Sequence, residues 1–316
     1  MRTTLDVANL PLPGKPPSVV SIGVFDGVHL GHRAILDANL AHARERSLAP
    51  TVVTFREHPK SVLLGRAPRT LTTLEHRLEH FRRAGVEHTL ALQFDEGLRS
   101  MAAEKFVEEI LIERLAAQSF VLGFDSKFGK DRRGGPELLG GMGFDVTVVP
   151  EIVVERRAVS STAIREAVEL GDLAAAARML GRPVSVFGEV VHGNARGREL
   201  GFPTANLDLH HELHPPTGVY ACRARRHTRS GPLEGTDAGM PAVTNIGYRP
   251  TVDGQPGPAP VVEVHLLDFA GDLYGELLEV DFVAHLRGEQ RFAGLEALSA
   301  QITRDIETAR SVLAGG

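Results

Sequence analysis

The spacing of hydrophobic residues changes once along this chain, and this change limits the possible folds more than any other feature. In the first half, short apolar runs rich in β-branched residues alternate with stretches of helical periodicity. Strands that are apolar on both faces and separated by helices predict a parallel sheet covered on both sides, which is a doubly wound α/β domain. The predicted strands are Val19–Phe25, Thr51–Phe55, Thr89–Phe94, Phe120–Phe124 and Asp145–Val149.

Helices are predicted between these strands at Gly31–Arg46, Leu74–Ala84 and Ala103–Ala117. In the third stretch, the spacing i, i+4, i+5 and i+8 predicts that the apolar positions share one face; these residues are Phe106, Ile110, Leu111 and Arg114. The helical pattern therefore alternates with the strand pattern along the whole first half.

The first domain is predicted to end with two short helices. Residues Ser161–Leu180 have helical composition interrupted at Gly171, and Asp172 is a plausible N-cap for the second helix. Pro183 then ends helical structure, because proline lacks an N–H donor and restricts the residue before it. We predict a first domain at residues 1–182 and a second at 183–316, as expected for a chain of this length.

The second half predicts a different architecture. Its strand-like runs follow one another across turns rich in Gly, Pro and Asp, and no helical pattern appears until Leu295–Leu313. Short strands without crossover helices predict a small antiparallel β-barrel with one C-terminal helix. Long hairpin connections are expected at 227–240 and 253–260. The predicted strands are Ser185–His192, Gly218–Arg226, Ala242–Gly247, Val261–Phe269 and Leu277–His285.

Composition excludes several classes of protein. Forty acidic residues against 35 basic ones give a net charge of −5, so binding of nucleic acid through bulk positive charge is not expected. No run approaches the ~18 consecutive apolar residues of a membrane helix, and residues 1–17 lack a signal-peptide core, so no membrane partner is expected. A single cysteine, Cys222, excludes an internal disulfide framework. We expect a cytoplasmic two-domain protein.

The most informative local pattern is Val24–His32, where the first strand ends and the first helix begins. Ligands of open α/β sheets bind beyond the carboxyl ends of the strands, and a helix N-terminus there attracts phosphate. His29 and His32 would face one side, while Gly27 and Gly31 would let the backbone come close. This arrangement favours holding a triphosphate and stabilising charge at its α-phosphorus.

The alternative for the two histidines is a zinc site. Zinc needs a third protein ligand, usually in a recognisable cluster, and His42 or His58 would be an improvised one. The position between strand and helix favours phosphate.

A second anion site is predicted after the last parallel strand. Ser160, Ser161 and Thr162 open a helix, so we expect their hydroxyls to cap it and its free N–H groups to face phosphate. Arg165 would add a guanidinium for phosphate oxygens. Two such helix starts in one domain predict a nucleotidyl-transfer site.

A glycine-rich segment in the second half predicts a phosphate loop. Gly193, Gly197 and Gly201 are spaced by four residues and would let the chain wrap around phosphates. Thr204 and Asn206, two residues apart on an extended segment, point the same way and could both bind Mg²⁺. A glycine-rich hairpin without a ligand is the alternative.

Together these motifs resemble a known family. The segment Val24–His32, which ends in His29-Leu30-Gly31-His32 and is called the HxGH turn below, resembles the corresponding turn of the HxGH nucleotidyltransferases, and so does the Ser-Ser-Thr turn at residues 160–162. With Thr54-Phe55, His58-Pro59 and Gly123-Phe124-Asp125, the first half looks like the FMN adenylyltransferase module of prokaryotic bifunctional riboflavin kinase/FAD synthetases. The resemblance implies a Rossmann-like fold that transfers AMP from ATP to FMN and releases pyrophosphate with the help of Mg²⁺. It implies His29, His32 and Arg165 as catalytic residues. The binding residues implied are Phe25, Asp26, Gly27, Gly31, His58, Pro59, Asp125, Ser160, Ser161 and Thr162.

The second half independently resembles riboflavin kinase through Gly201-Phe202-Pro203-Thr204-Ala205-Asn206 and the segments around Asn245, Glu263 and Tyr274. The resemblance implies that Thr204 and Asn206 bind Mg²⁺-nucleotide and that Glu263 is the catalytic base. The nucleotide-binding residues implied are Gly193, Arg198, Gly201, Phe202 and Pro203. The chain departs from the family's pattern at Arg56-Glu57 and at Ser126, which puts flavin or nucleotide affinity in question.

The favoured interpretation is a two-site enzyme that converts riboflavin to FMN and FMN to FAD, consuming ATP and releasing ADP and pyrophosphate. The alternatives are a nucleotidyltransferase for another phosphorylated acceptor and a flavin-binding regulator without turnover. Homo-oligomerisation is left open by the sequence.

Overall fold

In the computed structural model, the chain divides into two compact units, Met1–Ser161 and Thr162–Gly316. The structure describes residues 1–4, 16–65, 68–193, 197, 200–210, 212–228, 231–232, 238–250 and 256–315. The division falls earlier than the predicted boundary, so residues 162–182 group with the second unit by their contacts; the assignment of domains at 182/183 stays a prediction.

The first unit is built on a six-stranded sheet in which every pairing is parallel, in the order β1-β4-β3-β2-β5-β6. Successive residues Val19 and Val20 belong to hydrophobic clusters on opposite faces, and both are fully buried. Both faces of the sheet are therefore covered, which confirms the doubly wound α/β prediction. The sequence pattern did not reveal strand β1. The strands are β1 (Arg2–Thr4), β2 (Ser18–Ile22), β3 (Ala49–Phe55), β4 (His88–Leu92), β5 (Ala117–Gly123) and β6 (Asp145–Val149), with a small hairpin of β7 (Val153–Val154) and β8 (Arg157–Ala158).

The predicted helices at Gly31–Arg46 and Leu74–Ala84 are present, three short helices were not predicted, and the third prediction needs a correction. Regular α-helix in the predicted stretch Ala103–Ala117 ends at Phe106, and a π-helical segment continues from Val107 to Ile112. Phe106 and Leu111 are both buried, and a spacing of five residues keeps them on one side only in the wider π turn. The helices are α1 (Leu30–Arg46), α2 (Lys60–Leu64), α3 (Leu74–Ala84), α4 (Glu96–Ser100), α5 (Ala103–Phe106) and α6 (Pro136–Gly141).

The second unit begins with two helices, α7 (Ser161–Glu169) and α8 (Leu173–Leu180). The first residue of α7, Ser161, is the last residue of the first unit. Asp172 caps α8 as predicted, because its carboxylate accepts a hydrogen bond from the Ala175 N–H at 2.9 Å. The strands and last helix that follow are β9 (Val184–Val191), β10 (Ala205–Asp208), β11 (Gly218–Thr228), β12 (Gly231–Pro232), β13 (Met240–Pro250), β14 (Pro256–Leu266), β15 (Leu277–Arg287) and α9 (Leu295–Ala314).

Six of these strands close into a barrel. The order β11-β13-β14-β10-β9-β15 returns to β11, and each of these pairings is antiparallel. This confirms the predicted barrel with a C-terminal helix. Two details were wrong. The predicted connection 227–240 contains the end of β11 paired with β12. The predicted connection 253–260 is partly strand, since β14 begins at Pro256 and pairs there with Pro250 of β13. Residues 251–255 lie outside the described part of the chain.

Candidate functional site

The predicted nucleotide-binding segments of the first unit follow three adjacent strands. The HxGH turn follows β2, His58 and Pro59 follow β3, and Asp125 follows β5; β2 lies between β3 and β5 in the sheet. Because the strands are parallel, all three segments leave from the same edge. The fold therefore brings together the carboxyl-end motifs that the sequence suggested.

The backbone of the HxGH turn is conformationally unusual. Phe25, Gly27 and Val28 have φ angles of 53°, 83° and 38°. A positive φ is costly for a bulky or β-branched residue and persists only where neighbouring structure enforces it. The Phe25 ring is 1% exposed and meets Phe81 edge-on at a centroid distance of 5.4 Å, so the ring packs in the core. Binding of a ligand by Phe25 stays a prediction, and because the ring is buried, only the backbone of Phe25 is left to make the contact.

Residues just before α3 hold the middle of this turn. The Asp26 carboxylate accepts hydrogen bonds from the N–H groups of Leu71 at 2.9 Å and Thr72 at 3.1 Å. The Gly27 N–H donates to Thr72 Oγ1 at 3.0 Å, and a Cβ at Gly27 would lie 2.7 Å from Leu71 Cδ1. Glycine is therefore required at position 27 because the backbone there lies against the Leu71 side chain. A ligand role for Asp26 and Gly27 stays a prediction.

The two histidines are adjacent, as the spacing predicts. His29 is the N-cap of α1: its Nδ1 accepts a hydrogen bond from the His32 N–H at 3.3 Å. The imidazole rings stack at a centroid distance of 3.6 Å and an interplanar angle of 16°. A Cβ at Gly31 would lie 3.2 Å from His29 Cε1, so glycine leaves room for the ring to fold back over the helix start. Both imidazoles thus lie at the positive end of α1.

The two histidines considered as a third zinc ligand have other partners. His42 Nε2 lies 3.4 Å from a carboxylate oxygen of Asp145, and His58 Nδ1 accepts from the Lys60 N–H at 3.1 Å. Among the residues that the structure describes, no group of three His, Cys, Asp or Glu ligand atoms includes His29 or His32. Within the described part of the chain the pair has no third protein ligand of the kind that a zinc site requires, and binding of phosphate rather than zinc stays a prediction.

The hydroxyls before α7 differ from expectation. Ser161 begins the helix, but its Oγ donates to the Asp26 carbonyl oxygen at 2.9 Å. The predicted capping role of Ser161 is therefore corrected to a link between the helix start and the HxGH turn. Ser160 precedes the helix and Thr162 is exposed in its first turn. Arg165 is half-buried, and residues four apart share a helix face, so it lies on the side of Ser161.

The departures at positions 56 and 126 have local partners. Ser126 Oγ accepts a hydrogen bond from the Gly123 N–H at 3.0 Å and closes the turn after β5. The Arg56 N–H donates to the Leu92 carbonyl oxygen at 2.9 Å, which extends the pairing of β3 with β4. Both residues thus shape the same sheet edge that carries the HxGH turn.

In the second unit, strand register assembles a polar row. Glu263 on β14 lies directly opposite Asn206 on β10 and opposite Asn245 on β13. Residues opposite one another in antiparallel strands share a face. Thr204 precedes Asn206 by two residues and lies on the same side. The sequence did not single out Asn245 as a site residue, because only the pairing of β13 with β14 places it beside Glu263.

The glycine-rich segment packs against this row. A Cβ at Gly193 would lie 2.6 Å from Asn206 Oδ1, and one at Gly197 would lie 3.3 Å from Thr204 Oγ1. The Phe202 N–H donates to the Gly197 carbonyl oxygen at 2.8 Å. Pro203 offers its carbonyl to His265 Nδ1 at 2.7 Å, and Gly201 has a φ of 82°. Arg198, predicted to bind nucleotide, lies outside the described residues.

Thr204 lines two cavities of the second unit. The larger of the two, about 450 Å³, is lined among others by Thr204, Asn245, Glu263 and His265 and by Leu298 and Ile302 of α9. The smaller, about 320 Å³, is lined by Pro203, Thr204, Ala205 and the loop of residues 269–274. Thr204 borders both, so ligands in the two cavities would be neighbours at this residue.

No helix in the described residues is long and apolar enough to cross a membrane. A family model for FAD synthetase matches residues 13–163, and one for riboflavin kinase matches residues 180–313.

Relatives match nearly the whole chain. A bifunctional riboflavin kinase/FMN adenylyltransferase of Escherichia coli K12 is 38% identical, covering 98% of this chain and 97% of that protein. One from Bacillus subtilis is 35% identical, covering 92% and 91%. A crystal structure described as a macrolide-efflux protein from Streptococcus pneumoniae superposes with a TM-score of 0.79 at 31% identity over 98% of both chains. The chain therefore belongs to the bifunctional riboflavin kinase/FMN adenylyltransferases, with the adenylyltransferase module first and the kinase module second.

Proposed function

We propose that riboflavin is phosphorylated at the barrel cavity bordered by Glu263 and that FMN is adenylylated at the His29–His32 turn. Both reactions of the family use ATP as substrate. The kinase proposal rests on the observation that Thr204 lines both barrel cavities. A nucleotide in the smaller cavity would present its terminal phosphate to an acceptor in the larger one.

The larger cavity suits the flavin. Phe292, Leu298 and Ile302 offer apolar surface for a ring system, and Glu263 offers a carboxylate to the hydroxyl that reacts. That hydroxyl oxygen bonds to the γ-phosphorus while the bond from this phosphorus to the β-phosphate oxygen breaks and ADP leaves. Glu263 accepts the proton of the hydroxyl, which is the work of a general base.

The polar row beside Glu263 also fits a magnesium ion. The Thr204 hydroxyl and the Asn206 side-chain carbonyl are oxygen ligands, which Mg²⁺ prefers, and the opposing Glu263 adds negative charge nearby. Thr204 and Asn206 would hold the ion together with phosphate oxygens. When bound, the metal neutralises charge that develops on the transferred phosphoryl group.

In the first unit, the chemistry needs no covalent enzyme intermediate. A phosphate oxygen of FMN attacks the α-phosphorus of ATP, the new P–O–P bond forms, and pyrophosphate leaves as its bond to the α-phosphorus breaks. His29 and His32 lie at the start of α1 and would donate hydrogen bonds to the charged oxygens, assisted by the helix N-terminus. A catalytic role for Arg165, which belongs to the second unit, stays a prediction.

The product profile of the purified chain tests this assignment. Incubation with riboflavin, ATP and Mg²⁺ should yield FMN first and then FAD with pyrophosphate. Phosphopantetheine and choline phosphate serve as competing acceptors, and neither should be adenylylated. Absence of any product would favour the flavin-binding regulator, and adenylylation of a competing acceptor in place of FMN would contradict the proposed substrate.

Replacing Gly193 by alanine should selectively reduce the kinase reaction. The added Cβ displaces the buried Asn206 amide, which it would approach to 2.6 Å at Oδ1. Misplacement of a positioning group by about 1 Å can cost on the order of 100-fold in rate, so we expect a loss of about 10- to 100-fold in kinase kcat.

Gly288→Ala is the matched control for this variant, because a Cβ there meets no atom within 4 Å. It should retain kinase activity, and both variants should convert supplied FMN to FAD at the normal rate. Equal kinase activity of Gly193→Ala and Gly288→Ala would contradict a role for Asn206 in the site.

A further inference from the structure

A buried arginine lies behind the HxGH turn. Arg77, on the first turn of α3, is 3% exposed. Its Nη1 donates hydrogen bonds to the Val24 carbonyl oxygen at 2.5 Å and to Thr54 Oγ1 at 3.1 Å. Thr54 Oγ1 in turn donates to the same Val24 carbonyl at 3.0 Å. The guanidinium thus joins the chain just after β2 to the end of β3.

The stability of the fold alone does not account for this arginine. Among the described residues, Arg77 forms no salt bridge, and its Nε is buried without a hydrogen-bond partner. Burial lowers the pKa of Arg77 from its ordinary value, although the charges of Asp26 and Glu75 partly oppose that shift. A buried charge without a paired carboxylate is costly, and an apolar side chain of similar volume often stabilises a core better.

The contact made by Arg77 lies where the turn needs support. The Val24 carbonyl immediately precedes the residues with positive φ, of which Phe25 and Val28 are not glycine. The middle of the same turn is held by Leu71 and Thr72 through Asp26 and Gly27, as described above. Residues 71–77 therefore hold the turn at two points, and the turn leads directly into His29.

We propose that Arg77 is a positioning residue for adenylyl transfer: by fixing the Val24 carbonyl, it fixes the turn that presents His29 and His32 to the α-phosphate. Arg77 acts through the turn and touches no substrate. This inference rests on the assignment of that turn as the adenylyl-transfer site.

The test uses the full-length chain with Arg77→Met and Arg77→Lys, and with His29→Asn as a marker of the site itself. FMN-to-FAD and riboflavin-to-FMN rates are measured separately for each variant, with thermal denaturation alongside.

Because misplacing a catalytic group costs on the order of 100-fold, we expect Arg77→Met to lower adenylyl-transfer kcat about 100-fold. We expect Arg77→Lys, which keeps a charged donor, to lower it about 10-fold. The KM for ATP and for FMN should change less than about threefold, since ground-state binding is not removed. Kinase rates should stay at the wild-type level.

Each outcome decides the question. The proposal is overturned if Arg77→Lys and Arg77→Met both keep the wild-type kcat for adenylyl transfer. It is also overturned if KM rises while kcat is unchanged, or if adenylyl transfer and riboflavin phosphorylation are lost equally. If Arg77→Met does not fold, Arg77→Lys decides alone: reduced adenylyl-transfer kcat with full kinase activity supports the proposal, and wild-type kcat overturns it. Wild-type adenylyl transfer in His29→Asn would instead refute the site assignment, which separates the two failures.

Discussion

Replacing Glu263 by glutamine should abolish the conversion of riboflavin to FMN and leave the conversion of supplied FMN to FAD intact. Glutamine has the shape of glutamate but cannot accept the proton of the attacking hydroxyl, and a general base contributes roughly 100- to 10,000-fold to rate. Because the cavity lining is otherwise unchanged, riboflavin binding should be retained, so the loss should appear in kcat. Separate steady-state assays of the two half-reactions measure this.

Glu276→Gln is the matched control for this substitution. Glu276 is also in the barrel unit, but it pairs with Arg226 and lines neither cavity. A half-exposed ion pair contributes little, about 0–1 kcal/mol, so kinase activity should survive its loss. Loss of both activities in Glu263→Gln would contradict two separate sites, and near-normal FMN formation would refute Glu263 as the base.

Removing both imidazoles of the HxGH turn should have the reverse effect. In a chain carrying His29→Ala and His32→Ala, riboflavin should be converted to FMN at the normal rate, and FMN should accumulate. Removal of one hydrogen-bond donor from a transition-state charge costs about 100- to 1,000-fold, so loss of two should lower adenylyl-transfer kcat by at least about 1,000-fold. Timed separation of FMN and FAD from a riboflavin reaction shows this directly.

His29→Asn separates catalysis from helix capping. His29 accepts the His32 N–H, and alanine at an N-cap costs about 1 kcal/mol. Asparagine restores an N-cap acceptor without an imidazole. A catalytic role predicts that His29→Asn is thermally stable but slow in adenylyl transfer. Full activity of His29→Asn would mean that His29 serves only as the helix cap, and it would refute the assignment of this turn as the adenylyl-transfer site.

Much of this architecture could be predicted because it depends on short-range patterns. Alternating strands and helices indicated the parallel sheet, and consecutive strands without crossovers indicated the barrel. The positions of the HxGH turn and the Gly-Phe-Pro-Thr-Ala-Asn segment followed from those patterns. The stretch Ala103–Ala117 was predicted less well, because a helical pattern does not distinguish an α turn from the π turn that buries Phe106 and Leu111 together.

The sequence by itself determined which chemical groups this protein has and which elements carry them: imidazoles at a helix start, hydroxyl and amide oxygens on a strand, and glycines beside them. Only the tertiary structure decided which of these groups meet. Strand register placed Asn245 beside Glu263, 18 positions away in the chain. Packing placed Arg77 behind Val24, 53 positions away. Ser161, expected to cap its own helix, bonds to Asp26 instead. Local sequence pattern sets backbone conformation and periodicity, whereas contacts between distant residues depend on how whole elements pack, which no local pattern encodes.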